Sequence, residues 1–375
     1  MSQENQHAAK NKEGSAPDIS VIVPVFNAAS YLDQALGSIE AQTHQSLEII
    51  CLNDGSTDDS LTILQRHACL DARIVVIDKR NEGYGATCNQ GLACARGSYV
   101  AIIEPDDWIE PSLFEDMLAF GAGFGQKIDI IKTPYWRITS PDTPQQRKLN
   151  CSYKGRIHPS SQPFAVKDAP HLLIHHPSIW SALYRLDFLV EKGIQFKEIP
   201  GAGWADNPFL IETLCQTNHI IYLDKAYYCY REETPEKAAS FAHANTLLPL
   251  ARWNDMMDVL ERLHISDESV LRAHIRRGFT YLGGIVGEVG FDCPGVKEAA
   301  EQMCSRMDAS LVFSETALSP QDKRLYAQMR NLPAPSLPSL PYRIHLIKQG
   351  FYNLKNTGLR ATLALTVEYL KKRAS

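Results

Sequence analysis

The sequence predicts an α/β protein built on a mostly parallel sheet, followed by a helical C-terminal region. Three observations predict it. Apolar, β-branched runs begin at Ile19, Leu47, Arg73 and Ser98, about 25 to 28 residues apart, the length of one strand–helix–strand unit. Helical patterns fill the intervals between them. From Phe241 to about Leu311 the pattern is helical throughout.

The four runs, ISVIVPVF, LEIICL, RIVVID and SYVAII, are nearly continuous in apolar residues, as strands covered by helices on both faces require. Tyr31, Leu32, Ala35, Leu36 and Ile39 recur at helical spacing after Asn27 and Ser30, both good N-cap residues. Leu61, Ile63 and Leu64 follow Ser56-Thr57-Asp58-Asp59, a second cap signature with acids in the first turn. Residues 89–96 read as a third helix closed by Gly97. A short helix after Pro111 carries Leu113, Phe114, Met117 and Leu118, and 127–136 read as a further strand. Residues 140–163, rich in Pro, Ser, Gln and basic residues, read as a loop. Helical stretches are expected at 164–174, 179–192 and 207–216, and a strand pair at 220–223 and 226–230.

A chain of 375 residues with 44% hydrophobic and 22% charged residues supports a sizeable core, in two domains or in one large domain with an extension. The net charge of -5 excludes a global basic surplus for nucleic acid, so any phosphate binding is local. Nine cysteines without a C-x-x-C pair argue for a reduced compartment and against a zinc framework. The polar residues 1–17 read as a disordered N-terminus, not a signal peptide, and no apolar run is long enough to span a membrane. Pro320, Pro333, Pro335, Pro338 and Pro341 punctuate a linker. Residues 341–375 carry seven Lys or Arg against Glu368; this +6 tail, within a net charge of -5, leaves -11 on the rest. Such a basic amphipathic tail either lies on an anionic membrane surface or packs on its own domain.

In an open parallel sheet, ligands bind at the carboxyl ends of strands. The first ends in Pro24-Val25-Phe26-Asn27 and the second in Asn53-Asp54-Gly55-Ser56. An Asp at such a place can bind ribose or base, or simply form a D-G turn. The third is followed by Gly83-Tyr84-Gly85, which permits close backbone approach to a ligand or tight packing. The fourth ends in Ile103-Glu104-Pro105-Asp106-Asp107-Trp108. Three clustered carboxylates call for a compensating cation, and hard oxygen donors suit Mg²⁺ or Mn²⁺ completed by substrate phosphates. A solvated acidic turn is the alternative. His171, His175 and His176 cluster at a spacing that suits buried or solvated histidines better than a metal site.

Together VIVPVFN, NDGSTDDS, NEGYGATCNQGL and ARGSYVAIIEPDDWIEP resemble the family 2 glycosyltransferases of bacterial cell-surface polysaccharide and lipopolysaccharide synthesis, in order from about Ile19 to Pro111. The likeness continues through IWSALYRLDFL, GAGWADNPF and YYCYREETPEKAAS, and stops near residue 245. It implies the GT-A fold in 18–240, with a donor half at 18–135 and an acceptor half at 136–240. Residues 241–340 are then a helical extension and linker, and 341–375 the tail. By resemblance, Pro24, Phe26 and Asp54 hold the uracil and ribose of a UDP-sugar. Gly83 and Gly85 lie in the donor loop, and Glu104 and Asp106 on the acidic motif. Asp106 and Asp107 bind the metal, Mg²⁺ or Mn²⁺. Asp206 is the catalytic base, which as a residue could equally be a helix N-cap, and Arg231 meets the diphosphate. Three departures stand out: Glu104 in place of Asp, Cys88 where a basic residue is frequent, and Glu232-Glu233-Thr234-Pro235 after Arg231.

The implied reaction is an inverting, metal-dependent transfer from a nucleotide sugar to a hydroxyl of a glycan or lipid-linked glycan, in the cytoplasm, either free or peripheral at the inner face of the cell membrane. Trp108 or Trp204 would stack on a sugar ring or pack in the core, and the helical block 241–311 would serve dimer formation. Two other classes compete. One is an inactive domain that binds nucleotide sugar or glycan as a scaffold. The other is a nucleotidyltransferase, which would want a glycine-rich basic loop where PVFNAAS stands.

Overall fold

The computed structural model describes residues 16–201, 203–232, 245–333 and 339–374. Residues 1–15 of the predicted disordered N-terminus, the segment 233–244 and residues 334–338 of the proline linker therefore lie outside the described residues, while Pro320, read as the start of that linker, instead opens a helix, where a proline in the first turn is tolerated.

The first half alternates as its sequence rhythm requires: β1 (Ile19–Val25), α1 (Ala29–Glu40), β2 (Leu47–Asp54), α2 (Ser60–Leu70), β3 (Ile74–Lys79), α3 (Tyr84–Cys94) and β4 (Tyr99–Ile102). These four strands are parallel neighbours in the order β4, β1, β2, β3. Every residue of β1 and β2 is buried, which explains their continuous apolar runs. Leu32, Ala35, Leu36 and Ile39 form the buried stripe of α1.

The chain then passes through β5 (Trp108–Ile109), α4 (Leu113–Ala122), β6 (Ile130–Lys132), β7 (Tyr135–Thr139), β8 (Arg147–Asn150) and α5 (His171–Ile174). Next come β9 (Ala182–Arg185), α6 (Leu186–Glu191), α7 (Asp206–Leu214), β10 (Ile220–Tyr222) and β11 (Tyr228–Arg231). Strand β9 enters the main sheet antiparallel between β4 and β6, with β10 at the edge beyond β6. A second sheet runs β5-β11-β7-β8, and it brings β11 against the residues that follow the acidic turn.

Several local expectations are corrected. Residues 179–192 are a strand followed by a short helix, because Ala182 to Tyr184 are buried between two sheet neighbours that periodicity cannot reveal. Of 164–174 only α5 is α-helical, and a strand, β8, crosses the predicted loop. Helix α3 begins at Tyr84, five residues before the predicted start. Helix α1 has no side-chain cap; Asn27 Oδ1 instead accepts from the Thr57 N–H at 2.7 Å, lacing the first strand-to-helix loop to the second.

The C-terminal part comprises α8 (Leu248–Arg262), α9 (Glu268–Val289), α10 (Val296–Ser305), α11 (Ala309–Ser314), α12 (Pro320–Met329) and α13 (Leu340–Ala374), the last interrupted at Gly358. Its core is continuous with that of the sheet domain. Trp253 is fully buried, stacks on His274 at 4.3 Å and donates its indole N–H to the His274 carbonyl at 2.9 Å. The hydrophobic surface of α9 is thus shared between the extension and α5.

Candidate active site

Strand β2 ends in Asp54, whose two oxygens accept from the backbone N–H groups of Glu82 and Gly83, both at 2.9 Å. Lys79 Nζ lies 2.6 Å from Oδ1 and also bonds Thr87. Burial raises the cost of the Asp54 charge, but Lys79 and the loop amides outweigh it and hold the carboxyl below its ordinary value. Asp54 therefore shapes the loop after β3. Pro24 is buried in β1, whereas Phe26 just beyond the strand is 51% exposed.

The two loop glycines have a packing role. A Cβ on Gly85 would stand 2.2 Å from the Lys197 carbonyl oxygen, and one on Gly83, at φ +91°, 2.6 Å from that of Ile199. Tyr84 N–H donates to the Gly201 carbonyl at 3.0 Å. The close approach is to the chain's own 197–201 segment.

At the end of β4 the three acids have separate fates. Glu104 accepts from the Tyr84 hydroxyl at 2.6 Å. Burial, with the charges of Asp106 and Asp206 beside it, lifts the Glu104 carboxyl to about 8, against the Tyr84 bond. Asp107 is 2% exposed and turned inward: Oδ2 accepts from the Tyr228 hydroxyl at 2.8 Å and Oδ1 from the Arg231 N–H at 2.7 Å. Burial, then the Asp106 charge, pushes its carboxyl well above the ordinary range. Through these two bonds Asp107 ties β11 to the acidic turn. Asp106 stays half-buried. Among the described residues no three His, Cys, Asp or Glu side chains converge as a complete metal site.

Arg231 is held on several sides. Its Nε donates to the Asp106 carbonyl at 2.8 Å, its Nη2 to Gln34 Oε1 at 2.6 Å, and its Nη1 bonds Asp142. The guanidinium lies between the rings of Tyr31 and Trp108, 4.7 and 5.2 Å from their centroids. With these partners and 7% exposure it braces the acidic turn. Trp108 is thereby a packing residue.

Asp206 is the first residue of α7, one position past the N-cap Ala205. It bonds Asn207 Nδ2 at 3.1 Å, and burial, moderated by Arg277, lifts its carboxyl to about 6. It lines a cleft of about 830 Å³ together with Trp204, Tyr230 and His176 from the sheet domain and Tyr281 and Glu288 from α9. Trp204 adopts φ 53° and leans on Tyr281 at 5.6 Å. One wall of the cleft thus belongs to the helical extension.

Residues 20–180 match the Glycosyl transferase family 2 profile. The chain carries a family 2 glycosyltransferase domain. Its curated relatives include the putative glycosyltransferase EpsH of Bacillus subtilis (strain 168), 40% identical over 32% of this chain and 34% of EpsH. The uncharacterized glycosyltransferase EpsJ of the same organism is 28% identical over 60% of this chain and 66% of EpsJ. The matched segments therefore span a third of one relative and just under two thirds of the other. The crystal structure of S. aureus TarS 1-349 superposes with a TM-score of 0.64 at 18% identity, covering 84% of this chain and 87% of TarS 1-349. That likeness shows the GT-A fold and extends past the profile match into the helical extension.

Within this glycosyltransferase fold, sequence reasoning missed Tyr84, Tyr228, Gln34, Asn207, Arg277 and Tyr281. Tyr228 and Arg231 reach Asp107 across 121 and 124 residues, and Arg277 reaches Asn207 across 70. No local pattern signals such contacts. Cys88, at the position where a basic residue was sought, is fully buried. A cation comes instead from Lys79, at the end of β3.

Proposed function

We propose that the protein is an inverting, divalent-metal-dependent glycosyltransferase that moves a sugar from a nucleotide sugar, a UDP-sugar, to a hydroxyl of a glycan or lipid-linked glycan. The observation that carries this reading is that the cleft-lining Asp206 and the strand-end Glu104 and Asp106 meet at one place, close enough for Asp206 and Asp106 each to raise the Glu104 carboxyl. The family 2 match supports the donor class, and the related S. aureus TarS 1-349 has been crystallised in complex with UDP-GlcNAc.

The nucleoside would lie at the ends of β1 and β2, where Phe26 is exposed and Asp54 anchors the following loop. Crowded acids at the end of β4 fit a hard cation, with Asp106 as its protein ligand and most other ligands from substrate oxygens and water. When bound, Mg²⁺ or Mn²⁺ would neutralise charge on the departing diphosphate. Asp206 takes the proton of the acceptor hydroxyl as that oxygen attacks the anomeric carbon, and the nucleoside diphosphate leaves from the opposite face. A single displacement inverts the configuration. Trp204 offers an aromatic wall to the acceptor sugar.

The outward side of α13 supports a membrane location for this reaction. Ile344, Ile347, Phe351 and Leu354 are exposed along it, while Tyr352 bonds the Ser152 and Lys154 carbonyls and Asn356 bonds Asn150 on the inward side. The tail's seven basic residues match an anionic lipid surface. No helix among the described residues is long and apolar enough to cross a membrane. Flotation of the chain with phosphatidylglycerol vesicles, lost when residues 341–375 are deleted, is the expected result; unchanged flotation sinks this part.

For the main proposal, UDP-, GDP- and dTDP-sugars are titrated with Mn²⁺, Mg²⁺ or EDTA. Metal-dependent binding and slow turnover of a UDP-sugar support it. Tight binding without turnover on any acceptor points to the scaffold reading, and no binding refutes both.

A further inference from the structure

Basic side chains gather where the loop after β8, α5, α9 and α13 meet. His171 and His175 stack with ring centroids 5.5 Å apart, and His171 Nδ1 lies 3.3 Å from His175 Nε2. His175 also lines the cleft, and its carbonyl accepts from Arg277. Arg156 lies 3.3 Å from the centroid of the Tyr352 ring and donates Nη2 to Gln349 Oε1 at 2.7 Å, yet its Nε is buried without a partner. Arg276, beside Arg277 on α9, makes no side-chain hydrogen bond or ion pair among the described residues.

The groups feel one another. Burial first, and Arg276 among its neighbours, hold the Arg156 guanidinium below its ordinary value. Burial lowers the His171 imidazole to about 4, with Arg156, Arg276 and His345 adding to it. Glu315 is the carboxylate that acts on Arg276 and His345, and Lys348 adds a further positive charge near His345. The loop that carries Arg156 packs on α5, with the Tyr153 and His175 rings 6.4 Å apart, and α5 packs on α9, which carries Arg276; two half-buried guanidiniums with unused donors in one neighbourhood are unfavourable unless an anion joins them.

We propose that Arg156, Arg276 and His171 form a phosphoryl-binding subsite beside the acceptor cleft. Donors carried by three separate elements in one neighbourhood suit a tetrahedral oxyanion; a planar carboxylate is satisfied by one guanidinium fork. The inference rests on the reading of the 830 Å³ cleft as the acceptor site. The subsite gives that acceptor a required feature: a phosphate within a few ångströms of the sugar-accepting region. Such a group is either the diphosphate of a lipid carrier or a phosphodiester within the glycan.

The test is calorimetric titration of the full chain with inorganic pyrophosphate in EDTA, which removes metal-dependent binding at the donor site. Arg156→Gln and Arg276→Gln are each expected to weaken pyrophosphate at least about tenfold, while UDP binding with Mn²⁺ stays unchanged. Farnesyl diphosphate and a glycerol phosphate oligomer then compete with pyrophosphate; whichever displaces it in the native chain and not in the variants identifies the source. Equal pyrophosphate affinity in native and variant chains, or no pyrophosphate binding while UDP still binds, overturns the subsite and leaves the transferase reading standing. Loss of UDP binding in the native chain fails the transferase reading instead.

Discussion

Arg277 donates its Nη1 to Asn207 Oδ1 at 2.9 Å, joining the middle of α9 to the first turn of the helix that begins with Asp206. Tyr281, one turn along α9, donates to the same oxygen at 2.7 Å. The helical extension thus grips the residue next to the proposed base, and its cation lowers the proton affinity of that base. Arg277 is a positioning residue in this arrangement. Arg277→Gln is expected to move the acid limb of the kcat/KM profile to higher pH and to lower kcat more than it raises the donor KM. An unshifted profile would show that Arg277 serves packing alone.

Asp206 itself sets a pH dependence. Its carboxyl, lifted by burial to about 6, acts as a base only when ionised, so turnover falls as pH drops through about 6 and is level above it. Asp206→Asn should lower kcat by roughly 10² to 10⁴ with UDP affinity retained. Initial rates at saturating donor from pH 5 to 8 check the first point, and equilibrium binding of UDP the second.

Asp106 and Asp107 are neighbours with different work, and their variants should separate cleanly. Asp106→Asn is expected to abolish the difference in UDP binding between Mn²⁺ and EDTA while melting like the native chain. Asp107→Ala leaves the Tyr228 hydroxyl and the Arg231 N–H without their acceptor, at a cost of about 1–3 kcal/mol for each buried group. It should appear first as a lowered Tm. If Asp107→Ala melts normally and loses metal dependence instead, the clamp reading is wrong.

Gly85→Ala probes the packing of α3 on the 197–201 segment. With the new Cβ 2.2 Å from a backbone oxygen, one of the two backbones must shift, at roughly 1–3 kcal/mol or more. Denaturant unfolding should show a lower midpoint, and activity should fall with it, because the 197–201 segment leads directly to Trp204 and Asp206. A Gly85→Ala chain of native stability would contradict the close approach.

Much of this was legible in the sequence because it is local. A run such as ISVIVPV can be satisfied only by burial on both faces, so β1 to β4, their order along the chain and the placing of ligands at their ends follow from composition and period. The stripe of α1 and the helical character beyond residue 245 are equally periodic. Strand β9 was not legible, because three buried residues fit a helix or a strand until β4 and β6 supply hydrogen bonds on either side.

The sequence by itself determined the parallel α/β frame, the collection of acids at the end of β4, and the likeness to family 2 glycosyltransferases. Only the tertiary structure decided how each acid is surrounded. Asp106 and Asp107 are consecutive and chemically identical, yet one is half-buried at the turn and the other is sealed by Tyr228 and Arg231. The reason is physical: a carboxylate's role depends on which donors and charges surround it, and here those donors come from strands and helices far away in the chain.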